Sequence, residues 1–218
     1  MSEDASTDLM ARLKGLEDEV FRFYDDVGAK YKDNMPKVAD LAASTKAHTE
    51  RVAENVFRIY KIIGQEPSEL VCVSALLHDT GRLANEGNDE NHHVYSAEMV
   101  GGFLGDGYDD ESVKAVKELV YGHNDMNETG RLKVTQDSPL ELKVLCAADK
   151  LDRLGAKGAK RLYDNRIRRG ATPEKAKTGS EATMMQSSGF LRYLNISEDY
   201  VSYVNSQLAE GLEELKKL

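Results

Sequence analysis

The chain has 218 residues, which is enough for one good-sized domain or for a domain with an appendage. Hydrophobic residues make up 40% of it, so we expect a packed core, and no stretch approaches the roughly twenty apolar residues of a membrane span. The net charge of -9 argues against duplex nucleic acid as the main partner, because proteins that bind duplexes usually carry a basic face.

The N-terminus and the cysteines bear on the compartment. The first residues, Met-Ser-Glu-Asp-Ala-Ser, are acidic and lack the basic and then apolar form of a signal peptide. Cys72 and Cys146 both lie in apolar runs, which is typical of buried thiols in a reducing environment. We therefore expect a cytoplasmic protein that does not act at a membrane.

Hydrophobic spacing predicts helices in the first part of the chain, with no strand-like alternation longer than a few residues. Asp8 to Tyr31 forms an amphipathic pattern, and Val38 to Ile63 forms a second long one. Pro67 opens a short apolar helix that leads to the doublet His78-Asp79, and Thr80-Gly81 breaks it. A polar loop, Asn85 to Asn91, follows and is expected to border a site.

The second part of the chain is also predicted to be helical. Helices are expected over His92 to Leu104 and Glu111 to Tyr121, and a last one begins after Ser197. Ser138-Pro139-Leu140-Glu141 has the form of a capping box, with serine as cap and proline in the first position. Gly179 to Gly189 is small and polar and favours a loop or a short irregular helix.

These elements predict an all-α fold. We divide it into an N-terminal helix (1–35) that packs on the main domain, the main domain itself (36–160) and a C-terminal helical extension (161–218). The N-terminal helix could pack on its own domain or on a second copy of the chain. A homodimer is therefore possible.

The histidines are the main candidates for chemistry. Each of the five lies near a predicted helix end or on a helix with an apolar face: His48, His78, His92, His93 and His123. One such histidine alone is more often a core or capping residue. Together with Asp79 and Asp149, which both end apolar faces, the set favours a metal site.

The order of these residues resembles the HD-domain superfamily of metal-dependent phosphohydrolases, whose pattern is H…HD…D on an all-helical scaffold. His48 matches the first histidine, His78-Asp79 the doublet and Asp149, in Ala148-Asp149-Lys150, the last aspartate. The resemblance covers about His48 to Leu154 and implies an HD-domain helical bundle that binds a divalent metal ion through these four residues.

Two further histidines resemble those of superfamily members that hold two metal ions. His93 and His123 match the added positions, so the resemblance implies a second metal site in which Asp79 bridges the two ions. His92 could replace His93, but the spacing to Ser96-Ala97 favours His93. Imidazole and carboxylate ligands suit Mn, Fe, Co, Ni or Zn, with Mg also possible, and the absence of thiolates argues against structural zinc.

Cations near the predicted ligands could bind phosphate. Arg82 follows the doublet by three residues, and Lys150 and Arg153 flank Asp149. Each could equally lie on a solvated face or in an ion pair. Asp125 and Asp152 are candidates for proton transfer or for orienting water. The predicted catalytic residues are therefore Asp79, Arg82 and Asp152.

The resemblance implies a hydrolase of phosphomonoesters, phosphodiesters or nucleotides, acting on a small phosphorylated molecule. Two alternatives remain open. Some proteins with this ligand set are di-iron oxygenases, and the same residues could also belong to a metal- or nucleotide-binding module without activity. The cyclic-dinucleotide phosphodiesterases carry His-His-Glu and then Gly-Tyr-Pro. This chain instead has Val94 after His92-His93, and Asp109 after Gly107-Tyr108. It therefore departs from the pattern of that subfamily.

Overall fold

The computed structural model describes residues 3–87, 91–124 and 133–218, and within them the chain forms helices and no strand. The predicted all-α class is confirmed. The α-helices in these ranges are α1 (Glu3–Tyr31), α2 (Pro36–Ile62), α3 (Glu69–Leu77), α4 (His92–Leu104), α5 (Asp110–Gly122), α6 (Leu140–Leu151), α7 (Gly155–Arg168), α8 (Pro173–Leu194) and α9 (Glu198–Lys217). Two 3₁₀ helices span Thr80–Gly87 and Gly105–Gly107.

The N-terminal helix packs on its own chain. Leu16, Val20 and Tyr24 of α1 are buried on one stripe against α2 and α3, as the hydrophobic spacing predicts. The Tyr24 hydroxyl lies 3.3 Å from Thr49 Oγ1 on α2 and ties the two helices together inside the core. A homodimer stays a prediction.

Helix α3 is the central element of the core. Seven of its residues, Val71 to Leu77, are buried, and it contacts α1, α2, α5 and α6. Ser68 caps its first turn by accepting a hydrogen bond from the Val71 amide at 3.4 Å. A helix buried on all sides has no freedom to rotate, so its C-terminal end fixes the position of His78 and Asp79.

The 3₁₀ helix after α3 runs against the start of α4, and Gly81 makes this contact possible. A Cβ atom at Gly81 would lie 2.3 Å from the Ser96 amide nitrogen and 2.4 Å from the His92 carbonyl oxygen. The Gly81 amide donates a 2.8 Å hydrogen bond to Ser96 Oγ. The predicted polar loop Asn85 to Asn91 begins inside this 3₁₀ helix, which ends at Gly87. Residues 88–90 lie outside the described part of the chain.

We expect Gly81→Ala to lower the free energy of unfolding by about 1–3 kcal/mol, because the new methyl group meets backbone atoms that cannot rotate away. Denaturant unfolding measures this change. Gly102→Ala on α4 is the matched control, since its Cβ would meet nothing within 4 Å. Equal stability of the two variants would contradict the close contact.

The C-terminal helices correct one prediction. Gly179 to Gly189 is neither loop nor irregular but lies inside α8, where Ser180, Ser187 and Ser188 are buried. Ser180 Oγ donates to the Ala176 carbonyl at 2.7 Å, so its hydroxyl is satisfied within the helix. The predicted boundary at residue 160 falls inside α7.

The predicted capping box before α6 is also wrong. Pro139 is the N-cap residue and makes no side-chain capping bond. Ser138 Oγ instead accepts a hydrogen bond from the Thr135 amide at 3.0 Å and closes the preceding turn. Ser197 does cap α9 as predicted, through the Tyr200 amide at 3.1 Å.

Two further predictions concern thiols and membranes. Cys72 and Cys146 are both buried, as predicted. In the ranges that the structure covers, no helix has the length and apolar character to cross a bilayer.

Candidate metal centre

Four helix ends and the middle of α2 meet at one place. His78 and Asp79 follow α3, His92 begins α4, His123 follows α5 and Asp149 lies near the end of α6, while His48 comes from α2. Their side-chain atoms form two groups. Each group offers ligand atoms that lie within 4.8 Å of one another, and together the groups contain all six residues.

The first group contains His48, His78 and Asp149. His48 Nε2 lies 3.1 Å from Asp149 Oδ1 and 3.5 Å from Asp79 Oδ2. His78 Nε2 lies 3.4 Å from the same Asp79 oxygen. Two imidazoles and two carboxylates therefore converge on one point.

The second group contains Asp79, His92 and His123. The Nε2 atoms of His92 and His123 lie 3.5 Å and 3.8 Å from Asp79 Oδ1, and 3.3 Å from each other. Because one oxygen of Asp79 faces each group, this carboxylate can bridge two ions, as the resemblance implies.

The prediction chose His93 over His92 as a ligand, and the structure places His92 in the group instead. His93 points to one side, with Nδ1 3.3 Å from Asn124 Nδ2 and its ring 5.3 Å from that of Tyr121. Burial and the charges of Lys133 and His92 lower the pKa of His93 to about 4. We therefore assign the second-group position to His92, and His93 to packing beside it.

Unsatisfied polar atoms indicate that the groups fit a metal ion. Within the described residues, His78 Nε2 and Asp79 Oδ1 are buried and have no hydrogen-bond partner. A buried acceptor without a donor costs about 1–3 kcal/mol, and a cation between the groups would remove that cost. The donor set of imidazoles and carboxylates suits divalent transition ions.

The ring orientations of two histidines are fixed by backbone carbonyl groups behind them. His78 Nδ1 lies 2.8 Å from the Ala75 carbonyl oxygen, and His123 Nδ1 lies 2.5 Å from that of Val120. A carbonyl only accepts, so each Nδ1 carries the proton and each Nε2 presents a lone pair to the centre. Burial lowers the pKa of His123 to about 3, which keeps that ring neutral.

The two central aspartates are ionised despite their burial. Burial alone would raise the pKa of Asp79, but His78 and Arg82 hold it well below its usual range. Burial would likewise raise the pKa of Asp149, and Lys150 and His48 hold it well below. Both carboxylates therefore contribute negative charge to the centre at neutral pH.

Asp152 lies behind His48 rather than at the centre. Its Oδ2 lies 2.8 Å from His48 Nδ1, and its Oδ1 accepts a 2.6 Å hydrogen bond from Arg51 Nε and a 2.5 Å one from Arg161. The hydrogen bond from His48 and the guanidinium groups of Arg51 and Arg161 outweigh burial and hold the pKa of Asp152 at about 2. A carboxylate held this way does not exchange protons near neutral pH, so its predicted role in proton transfer is corrected to positioning His48.

We expect Asp152→Asn to weaken metal binding about 10–100-fold, because residues that orient a ligand histidine contribute this much to affinity. Calorimetric titration of the metal-free protein with Mn²⁺ measures the change. Asp164→Asn is the control, since Asp164 is an exposed partner of Lys160 on α7. An unchanged affinity in Asp152→Asn would remove the positioning role.

A cavity of about 510 Å³ opens above the second group. Arg82, Lys150 and Arg153, the three cations predicted to bind phosphate, line it together with His92, His123 and Asp149. Arg82 Nε lies 2.6 Å from Asp79 Oδ2, and Lys150 Nζ donates to Asp149 Oδ2 at 2.8 Å. All three cations therefore lie at the entrance to the centre.

Some residues of the site were not predicted. Arg51 and Arg161 hold Asp152. Arg51 could have been found from its place one helical turn after His48. Asp125, a candidate for proton transfer, lies outside the described residues.

Comparison with known proteins gives a family for the chain. A family model described as the HD domain matches residues 45–154. No curated protein matches the chain. Among solved structures, the chain is similar to a predicted HD superfamily hydrolase from an uncultured Thermotogales bacterium. The two are 24% identical with a TM-score of 0.48, over 80% of this chain and 88% of that one. Because the family model spans half of the sequence, the predicted resemblance is confirmed, and the chain belongs to the HD-domain family.

Proposed function

We propose that this protein is a metal-dependent phosphohydrolase that acts on a small phosphoester. One observation supports the proposal above all: two histidine–aspartate groups meet at Asp79, and members of both groups line one cavity together with Arg82, Lys150 and Arg153. The cations would attract an anionic substrate, and divalent ions held by the two groups would lie close to its phosphoryl group.

The proposed chemistry divides between the ions and the chain. Bound divalent ions supply hydroxide at neutral pH and neutralise the charge that builds on the phosphoryl group. The arginines hold phosphoryl oxygens through paired N–H donors, and Lys150 adds a point charge. Asp79 keeps both groups at a fixed separation, and Asp152 keeps His48 directed at the first.

The experiment is a metal and substrate panel. The protein is stripped with chelator, reloaded with Mn, Co, Ni, Fe, Zn or Mg and assayed for phosphate release from phosphomonoesters, phosphodiesters and nucleotides. We expect release with at least one ion and none after chelation. Oxygen consumption by the iron form without phosphate release would replace the proposal with an oxygenase, and failure to take up any ion would replace it with a binding module.

We expect Arg153→Ala to raise KM for the phosphoester about 10–100-fold, because a charge-assisted hydrogen bond to phosphate is worth about 1.5–3 kcal/mol. Steady-state kinetics on the reloaded enzyme measure it. Arg168→Ala on the exposed end of α7 is the control for loss of one positive charge. Equal KM values in the two variants would remove Arg153 from the substrate site.

A further inference from the structure

One wall of the cavity comes from α8, which lies beyond the matched HD region. Gln186, Gly189 and Tyr193 follow one another along one stripe of the helix, and Phe190 lies beside them. The reverse side of α8 is buried, with Met184, Ser188 and Leu191 among its core residues. The wall is therefore part of a packed helix rather than a loose loop.

Gly189 leaves a gap in this wall. A Cβ atom there would meet nothing within 4 Å, so open space lies over the backbone between Gln186 and Tyr193. Gln136 Nε2 donates a 2.9 Å hydrogen bond to the Tyr193 carbonyl and fixes the end of the helix that borders the gap. A shallow slot results, formed by the rings of Phe190 and Tyr193, the Gln186 amide and the bare backbone at Gly189.

The charge of the cavity lining is divided between its helices. The cations and the metal ligands come from the elements of the metal centre, while the described α8 residues in the lining carry no charge: Gln186, Ser187, Gly189, Phe190 and Tyr193. Among the described residues, the α8 side therefore offers no counter-charge to a second phosphate or to an ammonium group. A flat, neutral ring would stack on Phe190 or Tyr193, and its edge could bond to Gln186.

From this division, and resting on the proposed function, we infer that the substrate is a phosphomonoester whose alcohol carries a planar aromatic ring, and that Gly189, Phe190 and Tyr193 select it. The volume of about 510 Å³ is that of a small-molecule site and accommodates one phosphate and one ring system. Two sources provide such a ring: a nucleobase joined to the phosphate through a sugar, or an aryl group joined to it directly.

Two pairs of compounds test the inference on the Mn-loaded protein. Adenosine monophosphate is compared with ribose 5-phosphate, and phenyl phosphate with cyclohexyl phosphate. We expect the ring-bearing member of at least one pair to be favoured about tenfold to a hundredfold, the range typical of stacking on an aromatic side chain. The pair that shows the preference identifies the source of the ring.

The comparison uses kcat/KM where phosphate is released and Kd from calorimetry where it is not. Absence of turnover with an intact ring preference would overturn the proposed function and leave the inference standing. Turnover without ring preference in either pair would overturn the inference and leave the proposed function standing. The two failures are therefore distinguishable.

Variants locate the preference on α8. We expect Phe190→Leu and Tyr193→Leu to reduce it, and Gly189→Leu to abolish it by filling the slot. Gly189→Leu should not lower the melting temperature, because its Cβ enters open space and leucine favours helix over glycine. Phe57→Leu on α2 and Met185→Ala on the exposed side of α8 are the controls. A ring preference unchanged in Gly189→Leu would overturn the inference.

Discussion

Replacement of Asp79 by asparagine is expected to abolish binding of two metal ions and to lower kcat by about a hundredfold to a thousandfold or more. Asp79 Oδ2 faces His48 and His78, and Oδ1 faces His92 and His123, so one carboxylate serves both groups. Asparagine keeps the shape but offers one oxygen and no charge. Charge stabilisation by a metal ion is worth several kcal/mol, which corresponds to this loss in rate.

The measurement is the metal content per chain after reloading, together with the rate of phosphate release. We expect two ions in the wild-type protein and at most one in Asp79→Asn. Asp25→Asn is the matched control. Asp25 lies on α1, is exposed and pairs with Lys46 of α2, and the charge change is the same. Retention of two ions in Asp79→Asn would show that the bridging geometry is not what holds them.

The sequence predicted most of the centre because metal ligands carry strong local patterns. A doublet such as His78-Asp79 at the end of an apolar run is visible without knowledge of the fold. The number of residues between His48 and Asp149 does not by itself tell how far apart their side chains lie. Here the family pattern supplied the partners, and the packing of α2, α3 and α6 brings them together.

The choice between His92 and His93 could not be made from the sequence. Adjacent residues at a helix start point about 100° apart, so the choice depends on the rotation of α4 about its axis. Contact of the Gly81 backbone with Ser96 and with the His92 carbonyl sets that rotation. This contact joins residues on two different elements, and no local pattern reports it.

The helical nature of α8 was missed for a related reason. Glycine and serine lower helix propensity, so Gly179 to Gly189 resembles a loop when read alone. In the folded chain the same small residues let the helix pack closely. Ser180, Ser187 and Ser188 of this segment, for example, are buried. Burial outweighs propensity here, and the resulting helix forms one wall of the cavity.

The neighbouring histidines of α4 provide the second large expected effect. We expect His92→Ala to weaken binding of the second metal ion at least about a hundredfold, because removal of a ligand costs more than removal of a residue that only orients one. His92 Nε2 lies 3.5 Å from Asp79 Oδ1 and 3.3 Å from His123 Nε2. Titration of the metal-free variant with Mn²⁺ should then show one strong site in place of two.

His93→Ala is the matched comparison, since it removes the same side chain one position along. His93 is a neutral, buried ring that packs on Tyr121, so its loss should cost about 1–2 kcal/mol of unfolding free energy and leave two metal sites. The two variants thus separate a ligand from a packing residue by opposite readouts. Loss of the second site in His93→Ala, with both sites kept in His92→Ala, would reverse the assignment and imply that α4 is rotated by one residue when metal is bound.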